Sequence, residues 1–384
     1  MRRRGIYLVL ALLLLLPAFS LILDAIRLKV RRVQASRGRQ KPLRSLPTSR
    51  TEIVAFSGVK FTVSVLNRFD YATRPCNNCL RNYFTTPRPP TRNQYKKGVA
   101  VYIHHQKAGG TTMRKCLRDL LGSPDRLLTQ TGTDIRGSRL LGSVHTDSRL
   151  YWQYKLTRAQ RVTYSFIEGP NTMGMCDDVT EKAWPCSYFI VLRDPVARIV
   201  SSYFYCKREP GDMLCASPQL DARNASLREW AVHQRSFLLV QLAFNVRYCN
   251  RSRVDQWAKE PCWFRQRALM ERDAFRFNEF ARFIVDDLSN RFAVIGLLEH
   301  FAESLEMMTE VYGIDLVACA KKRENAAIAD SDVTETRSAL INELKRDPIV
   351  RENLKYDQAL YDRAREIFFQ QRDARELARA RQIQ

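Results

Sequence analysis

From residue 98 onwards, short apolar runs typical of β-strands alternate with longer stretches of helical periodicity. Strands are predicted at 99–103, 163–167, 187–192 and 294–297. Helices are predicted at 112–121, 195–205, 265–288, 299–312, 334–346 and 356–379. Strands that alternate with helices are joined by crossover connections and pair in parallel. The sequence therefore predicts an α/β domain, over residues 98–384, built around a central parallel sheet.

Residues 5–23 form an almost unbroken apolar run, preceded by Arg2, Arg3 and Arg4. Nineteen residues at about 1.5 Å each nearly span a hydrocarbon core. We therefore expect a transmembrane signal anchor at 5–23, a cytoplasmic tail at 1–4 and a lumenal remainder. A cleaved signal peptide is the alternative, because small residues at 18–20 offer a cleavage site. Both interpretations direct the chain into the secretory pathway.

Residues 24–97 are rich in Arg, Pro, Ser and Thr and are predicted to form a stem, with one short strand pair within 53–65. The chain carries a net charge of +23. The first 97 residues hold 20 Lys and Arg against 3 Asp and Glu, and so most of the positive excess. A nucleic-acid partner is therefore not required to explain the charge. A hydrophobic content of 45% argues against a disordered chain.

All ten cysteines lie beyond the apolar run, which favours disulfides in an oxidising lumen. Two pairs are close enough in sequence for local bridges: Cys206 with Cys215, and Cys249 with Cys262. The sequence alone does not fix the pairing. No Cys or His spacing is typical of zinc ligands, so we expect no metal. Asn224 and Asn250 lie in N-glycosylation sequons.

The segment Lys107-Ala108-Gly109-Gly110-Thr111-Thr112 follows the first strand and opens a helix. Glycines let the backbone wrap an anion, the helix N-terminus points N–H groups at it, and the lysine adds a full charge. The lysine precedes the glycines, so this is not a Walker A motif. The pattern predicts a P-loop-like, three-layer domain that binds phosphate. A plain turn with a helix cap is the alternative.

A second strand ends at Arg193, and Pro195 then begins a helix that contains Ser201. Arg193 is placed to bind a second phosphate with its guanidinium. The alternative is a surface ion pair in which Arg193 and Asp194 interact with Arg198.

Together these segments resemble the Golgi sulfotransferases, which use 3′-phosphoadenosine 5′-phosphosulfate (PAPS). In that family the lysine loop binds the 5′-phosphosulfate, and an Arg and a Ser eight residues apart bind the 3′-phosphate. The resemblance assigns Lys107, Ala108, Gly109, Gly110, Thr111 and Thr112 to the first role and Arg193 with Ser201 to the second. It implies a type II Golgi membrane protein that acts on a glycosaminoglycan or other acidic glycan without metal or nucleic acid.

Three motifs look most like the heparan sulfate 6-O-sulfotransferases, and the resemblance extends loosely over residues 98–373. They are His104-x-Gln106-Lys107-x-Gly109-Gly110-Thr111-Thr112, Leu192-Arg193-Asp194-Pro195-Val196-x-Arg198 and Leu360-Tyr361-x-x-Ala364-x-x-x-Phe368. In that branch a short segment carries the catalytic histidine, and Gly142-Ser143-Val144-His145-Thr146-Asp147 resembles it.

His145 is therefore the expected base and Lys107 the expected cation on the leaving-group side. Histidine suits a base because its pKa lies near lumenal pH. A loop histidine without a role is the alternative. His104 and His105 adjoin the phosphate loop, where a positive or structural role is expected.

The sequence thus favours a glycan sulfotransferase. A phosphotransferase using ATP and magnesium is a rival enzyme class, weakened by the absent Gly-Lys-Ser/Thr ending. A heparin-binding module without catalytic activity is the non-enzymatic rival.

Overall fold

The computed structural model describes residues 53–56, 59–62, 79–87, 92–121, 129–133, 139–143, 164–170, 172–178, 185–212, 215, 220–243, 267–268, 270–272, 274–321 and 331–383. The expected anchor at 5–23 and the expected base His145 lie outside these residues. Within the described ranges, no helix has both the length and the apolar character needed to cross a bilayer.

The described residues contain eight strands: β1 (Ile53–Phe56), β2 (Val59–Thr62), β3 (Val99–Ile103), β4 (Thr129–Thr133), β5 (Arg139–Ser143), β6 (Phe166–Gly169), β7 (Cys186–Leu192) and β8 (Phe292–Leu297). β1 and β2 pair with each other in the expected strand pair, and the other six form one sheet in the order β4-β5-β6-β3-β7-β8. β6, β3, β7 and β8 run parallel, β5 is parallel to β6, and only β4 is antiparallel to its neighbour.

The helices flanking this sheet are α1 (Arg92–Lys97), α2 (Gly110–Leu121), α3 (Met175–Asp178), α4 (Pro195–Arg208), α5 (Leu227–His233), α6 (Phe237–Ala243), α7 (Ala274–Arg291), α8 (Phe301–Tyr312), α9 (Ser331–Arg346) and α10 (Pro348–Ile383). The α/β fold with a parallel sheet is therefore confirmed. The hairpin of β4 and β5 was missed, because its polar run Thr129–Thr133 has no apolar core pattern.

The longest helix, α10, begins eight residues before its predicted start. Its first residue is Pro348, whose fixed φ suits a first turn. The Asp347 carboxylate accepts hydrogen bonds from the N–H groups of Ile349 (2.9 Å) and Val350 (3.2 Å). A cap of this kind satisfies donors that have no partner within the helix. The helix therefore starts where its cap is, ahead of the first clear apolar repeat.

The apolar runs of β3, β7 and β8 are buried along their whole length, as expected for parallel strands covered on both faces. The edge strand β8 has the outward backbone groups of Ile295 satisfied by α10. Gln371 accepts from the Ile295 N–H (3.0 Å) and donates to the Ile295 carbonyl (2.7 Å). Asn82 in turn donates to the Gln371 side chain (2.7 Å). The sheet edge is thus closed by buried amide side chains, which removes a site for unwanted strand pairing.

Disulfides join Cys116 to Cys319, Cys176 to Cys186, and Cys206 to Cys215. The last is one of the two local pairs suggested by spacing; Cys249 and Cys262 lie outside the described residues. The bridge from Cys116 connects α2 to a residue 203 positions later in the chain. It fixes α2 to the segment that follows α8.

α10 also organises the short helix α6. The buried Asp357 carboxylate accepts hydrogen bonds from the N–H groups of Phe237 (2.8 Å), Leu238 (3.1 Å) and Leu239 (3.3 Å). These are the first three N–H groups of α6, which lack partners within the helix. A buried carboxylate near the positive end of a helix also interacts favourably with the helix dipole.

We therefore expect Asp357→Ala to lower the free energy of unfolding by about 3 kcal/mol. Three buried N–H donors lose their acceptor, and the charge of Arg198 loses the attraction of a neighbouring carboxylate. Asp357→Asn is the matched control, since its amide oxygen still accepts and its cost is smaller. Urea unfolding followed by circular dichroism measures both. Equal stability of the alanine variant and the wild type would contradict this role.

Candidate functional site

The site lies at the carboxyl ends of the parallel strands, next to β3, where the strand order changes direction. From β3 the chain proceeds through β4 and β5 to β6 on one side, then crosses to β7 and β8 on the other. The loops that leave β3 and β7 thus lie at the point where open α/β sheets bind ligands. Lys107 lies in the first loop and Arg193 directly follows β7.

The two segments picked out by the sequence are in direct contact. The Arg193 Nη1 donates to the backbone carbonyl of Lys107 at 3.1 Å. Lys107 has a left-handed backbone (φ 65°) and Gly109 follows with φ 81°. A non-glycine residue held in this region costs free energy and is typical of functional loops. The arginine thus helps to hold a strained lysine loop in place.

Gly110 begins α2 beneath the ring of His104. A Cβ placed on Gly110 would collide with the His104 imidazole. A Cβ on Gly109 would lie 3.0 Å from the side chain of Leu298. The two glycines therefore let the side chains of His104 and Leu298 pack closely against the loop and the first turn of α2.

Four cationic side chains converge on this loop. Burial, followed by the charges of Arg193, Arg208 and Arg337, lowers the pKa of Lys107 to about 8, while Asp212 acts in the opposite direction. Burial also lowers the pKa of Arg193; Glu299 and Asp194 act in the opposite direction, and Arg337 lowers it further. Burial is thus the main cause of both shifts, and the neighbouring guanidinium groups add to it.

Arg337 is a site residue that the sequence did not single out. It comes from α9, and its guanidinium carbon lies 5.3 Å from the centre of the Phe204 ring on α4. Its Nε is buried and has no hydrogen-bond partner among the described residues. In the sequence it is one of many arginines in a helical pattern, and only the packing of α9 on α4 gives it a distinct environment.

Ser201 and Tyr205 lie four residues apart on α4 and share one face of that helix. The Lys107 Nζ lies 3.8 Å from the centre of the Tyr205 ring, so this face is turned towards the lysine loop. The structure thus places Lys107 next to both Arg193 and the α4 face that bears Ser201.

The surface ion pair considered for this segment is wrong. Asp194 caps α4 by accepting from the Ala197 N–H (2.9 Å) and pairs with the Lys345 ammonium (2.8 Å). Arg198 is buried; its guanidinium carbon lies 4.3 Å from the centre of the Phe237 ring.

His105 is buried and His104 half-buried, and desolvation is the main reason that the pKa of each falls to about 3. Both are therefore neutral, which fits the structural one of the two roles expected for them. His105 Nδ1 lies 2.7 Å from the Gln241 Oε1, which can only accept, so Nδ1 carries the proton. Gln241 Nε2 donates to the carbonyls of His104 and Pro170, both at 2.9 Å. One amide from α6 thus joins the loops after β3 and β6, a role with no sequence signal.

Glu168 provides a further carboxyl group at this edge of the sheet. It lies opposite Tyr102 in the register of β6 and β3 and is fully buried. Burial raises its pKa to about 7, against the opposing effect of Arg114 and Arg118 on α2. Glu168 could have been identified from the sequence, because it is a charged residue that directly follows the apolar residues Phe166 and Ile167 of a predicted strand. Among the described residues, no cluster of His, Cys, Asp and Glu has metal-site geometry.

No known protein-family model matches the chain, and no curated protein shows detectable similarity to it. The assignment of a function therefore depends on the chemistry of the site and on the resemblance carried by its motifs.

We expect Gly110→Ala to lower the free energy of unfolding by about 1–3 kcal/mol, because the new methyl group forces the His104 ring aside. A glycine replaced by alanine in a helix without such a contact would instead gain stability. Gly211→Ala is the control, since a Cβ there has open space around it. Thermal unfolding of both variants measures the difference; a stabilised Gly110→Ala variant would show that the loop does not pack as described.

Proposed function

We propose that the protein is a PAPS-dependent carbohydrate sulfotransferase with a P-loop-like, three-layer α/β domain. It transfers a sulfonate group to a sugar hydroxyl of a glycosaminoglycan such as heparan sulfate, with the 6-O position favoured. The observation that carries the proposal is the hydrogen bond from Arg193 to the Lys107 carbonyl, since it joins both motif segments in one cationic site.

The residues present suit a donor with two separated anionic groups. Lys107 and the N-terminus of α2 would hold the 5′-phosphosulfate, which needs a full charge and backbone donors. Arg193 and Ser201 would hold the 3′-phosphate, and Arg337 adds a third group on that side. Four converging cations supply the charge neutralisation that phosphotransferases obtain partly from magnesium.

In the reaction, the acceptor hydroxyl oxygen forms a bond to sulfur while the bond from sulfur to the bridging phosphate oxygen breaks. The hydroxyl proton passes to a base, and 3′-phosphoadenosine 5′-phosphate leaves with the bridging oxygen. The Lys107 ammonium stabilises the negative charge that develops on that oxygen. His145 is the proposed base from its motif, and Glu168 is a second candidate because its pKa of about 7 suits proton transfer near neutrality.

The proposed setting is the Golgi membrane, with a type II anchor at 5–23, a stem at 24–97 and a lumenal domain at 98–384. The three disulfides of the described residues fit an oxidising compartment.

The full chain, purified in detergent and incubated with radiolabelled PAPS, should transfer label to heparosan but not to chondroitin or a tyrosine peptide, and EDTA should not reduce transfer. Lys107→Ala and Arg193→Ala should lose transfer by at least about 100-fold. Lys355→Ala, on an exposed face of α10, is the control. Glycan binding without any transfer would favour the heparin-binding module, and dependence on ATP and magnesium would favour the phosphotransferase.

Two further variants identify the base. We expect His145→Ala to lower kcat by about 10²–10⁴-fold while its affinity for 3′-phosphoadenosine 5′-phosphate stays unchanged, because the base acts on the acceptor. Glu168→Gln preserves the shape of the other candidate and should retain most of the turnover. The reverse pattern would assign the base to Glu168.

A further inference from the structure

The aromatic ring of Tyr205 lies against the side-chain ammonium of Lys107 in the lysine loop. Its ring lies on the α4 face that meets the loop, with the Lys107 ammonium 3.8 Å from the ring centre. Its phenol donates to the Asp212 Oδ2 at 2.7 Å. A cation over the face of an aromatic ring is attracted by the ring's negative quadrupole. The ring therefore provides Lys107 with a favourable contact that carries no net charge.

The surroundings of Lys107 make such a contact important. The charged groups that face the ammonium are Arg193 after β7, Arg208 on α4, Arg337 on α9 and Asp212 in the turn after α4. His104, on the strand side, is neutral. Three arginines lower the pKa of Lys107 and one carboxylate raises it, so the ammonium loses its proton more readily than an ordinary lysine does. Asp212 favours the charged form of Lys107 through its negative charge, and the Tyr205 ring favours it by direct contact.

We propose that Tyr205 is a positioning residue whose ring fixes the Lys107 ammonium beside the loop and keeps it protonated until the anionic donor binds. The catalytic part of this inference rests on the proposed sulfotransferase function. The electrostatic part concerns Lys107 and Tyr205 alone and is measurable without the reaction.

The role is distinct from that of Tyr203 on the same helix. Tyr203 is buried, its hydroxyl donates to the Ala225 carbonyl (2.8 Å), and its ring packs near Trp230. Tyr205 is only half-buried and its hydroxyl partner, Asp212, is itself exposed. Replacement of Tyr205 therefore affects the lysine loop more than the core.

The pKa of Lys107 can be measured from the pH dependence of trace labelling by fluorodinitrobenzene, with the Lys107 peptide quantified by mass spectrometry and Lys355 as internal reference. In the wild type burial and the three arginines hold this pKa near 8. In Tyr205→Leu we expect it to fall by about half a unit to one unit, because the ring attraction is lost. Tyr205→Phe is the matched control: it keeps the ring face and should stay within a few tenths of the wild type.

An unchanged pKa of Lys107 in Tyr205→Leu, or an equal fall in Tyr205→Phe, would overturn the proposal. Thermal unfolding checks that each variant is folded, and Tyr205→Met replaces the leucine variant if that one is not.

Kinetics then separate this proposal from the proposed function. The ammonium is the active form of Lys107, so kcat/KM falls as pH rises through its pKa, and Tyr205→Leu should move that alkaline limb to lower pH by the same shift. A wild type that transfers no sulfonate overturns the function, while the labelling result still decides the role of Tyr205. An active Tyr205→Leu enzyme with an unmoved alkaline limb overturns the role of Tyr205 and leaves the function standing.

Discussion

The guanidinium of Arg193 donates to the backbone carbonyl of Lys107, and this contact ties together the loops that leave two neighbouring parallel strands. It exists because β3 lies between β6 and β7, so the carboxyl ends of all three strands meet at one edge. Burial, together with the nearby charges of Arg193, Arg208 and Arg337, lowers the pKa of Lys107, and burial is also the main cause of the lowered pKa of Arg193. In the proposed function, the anionic donor would offset the repulsion between Lys107 and these arginines.

The scaffold around the site keeps those charges in place through buried polar contacts. Asp357 on α10 caps α6, and Gln241 on α6 joins the loops after β3 and β6. Gln371, also on α10, closes the sheet edge at Ile295. The C-terminal helix is thus connected through side-chain amides and a carboxylate to the loop that carries Lys107. Each of these groups is satisfied in the folded chain, and loss of any one would leave buried donors without partners.

The histidines of the site are neutral, whereas its lysine and arginines carry the positive charge. His104 and His105 lie close to Lys107 in sequence, but His105 is buried and His104 half-buried, and desolvation keeps both neutral. The charge comes instead from a lysine and arginines that remain partly accessible, together with the helix N-terminus. The ring of Tyr205 adds attraction for the ammonium without adding a carboxylate that would compete with an anionic ligand.

The sequence by itself determined the α/β class, because apolar runs and helical periods follow from the requirement that each element bury one face. It also located both strand–loop–helix segments, since glycine, proline and cationic residues have strong local preferences that require no knowledge of distant contacts. Only the tertiary structure decided that Arg337, Gln241, Glu168 and Tyr205 belong to the site. Their roles depend on which helix packs against which loop, and on burial that shifts a pKa. Those properties arise between residues up to about two hundred positions apart, so no local pattern in the chain contains them.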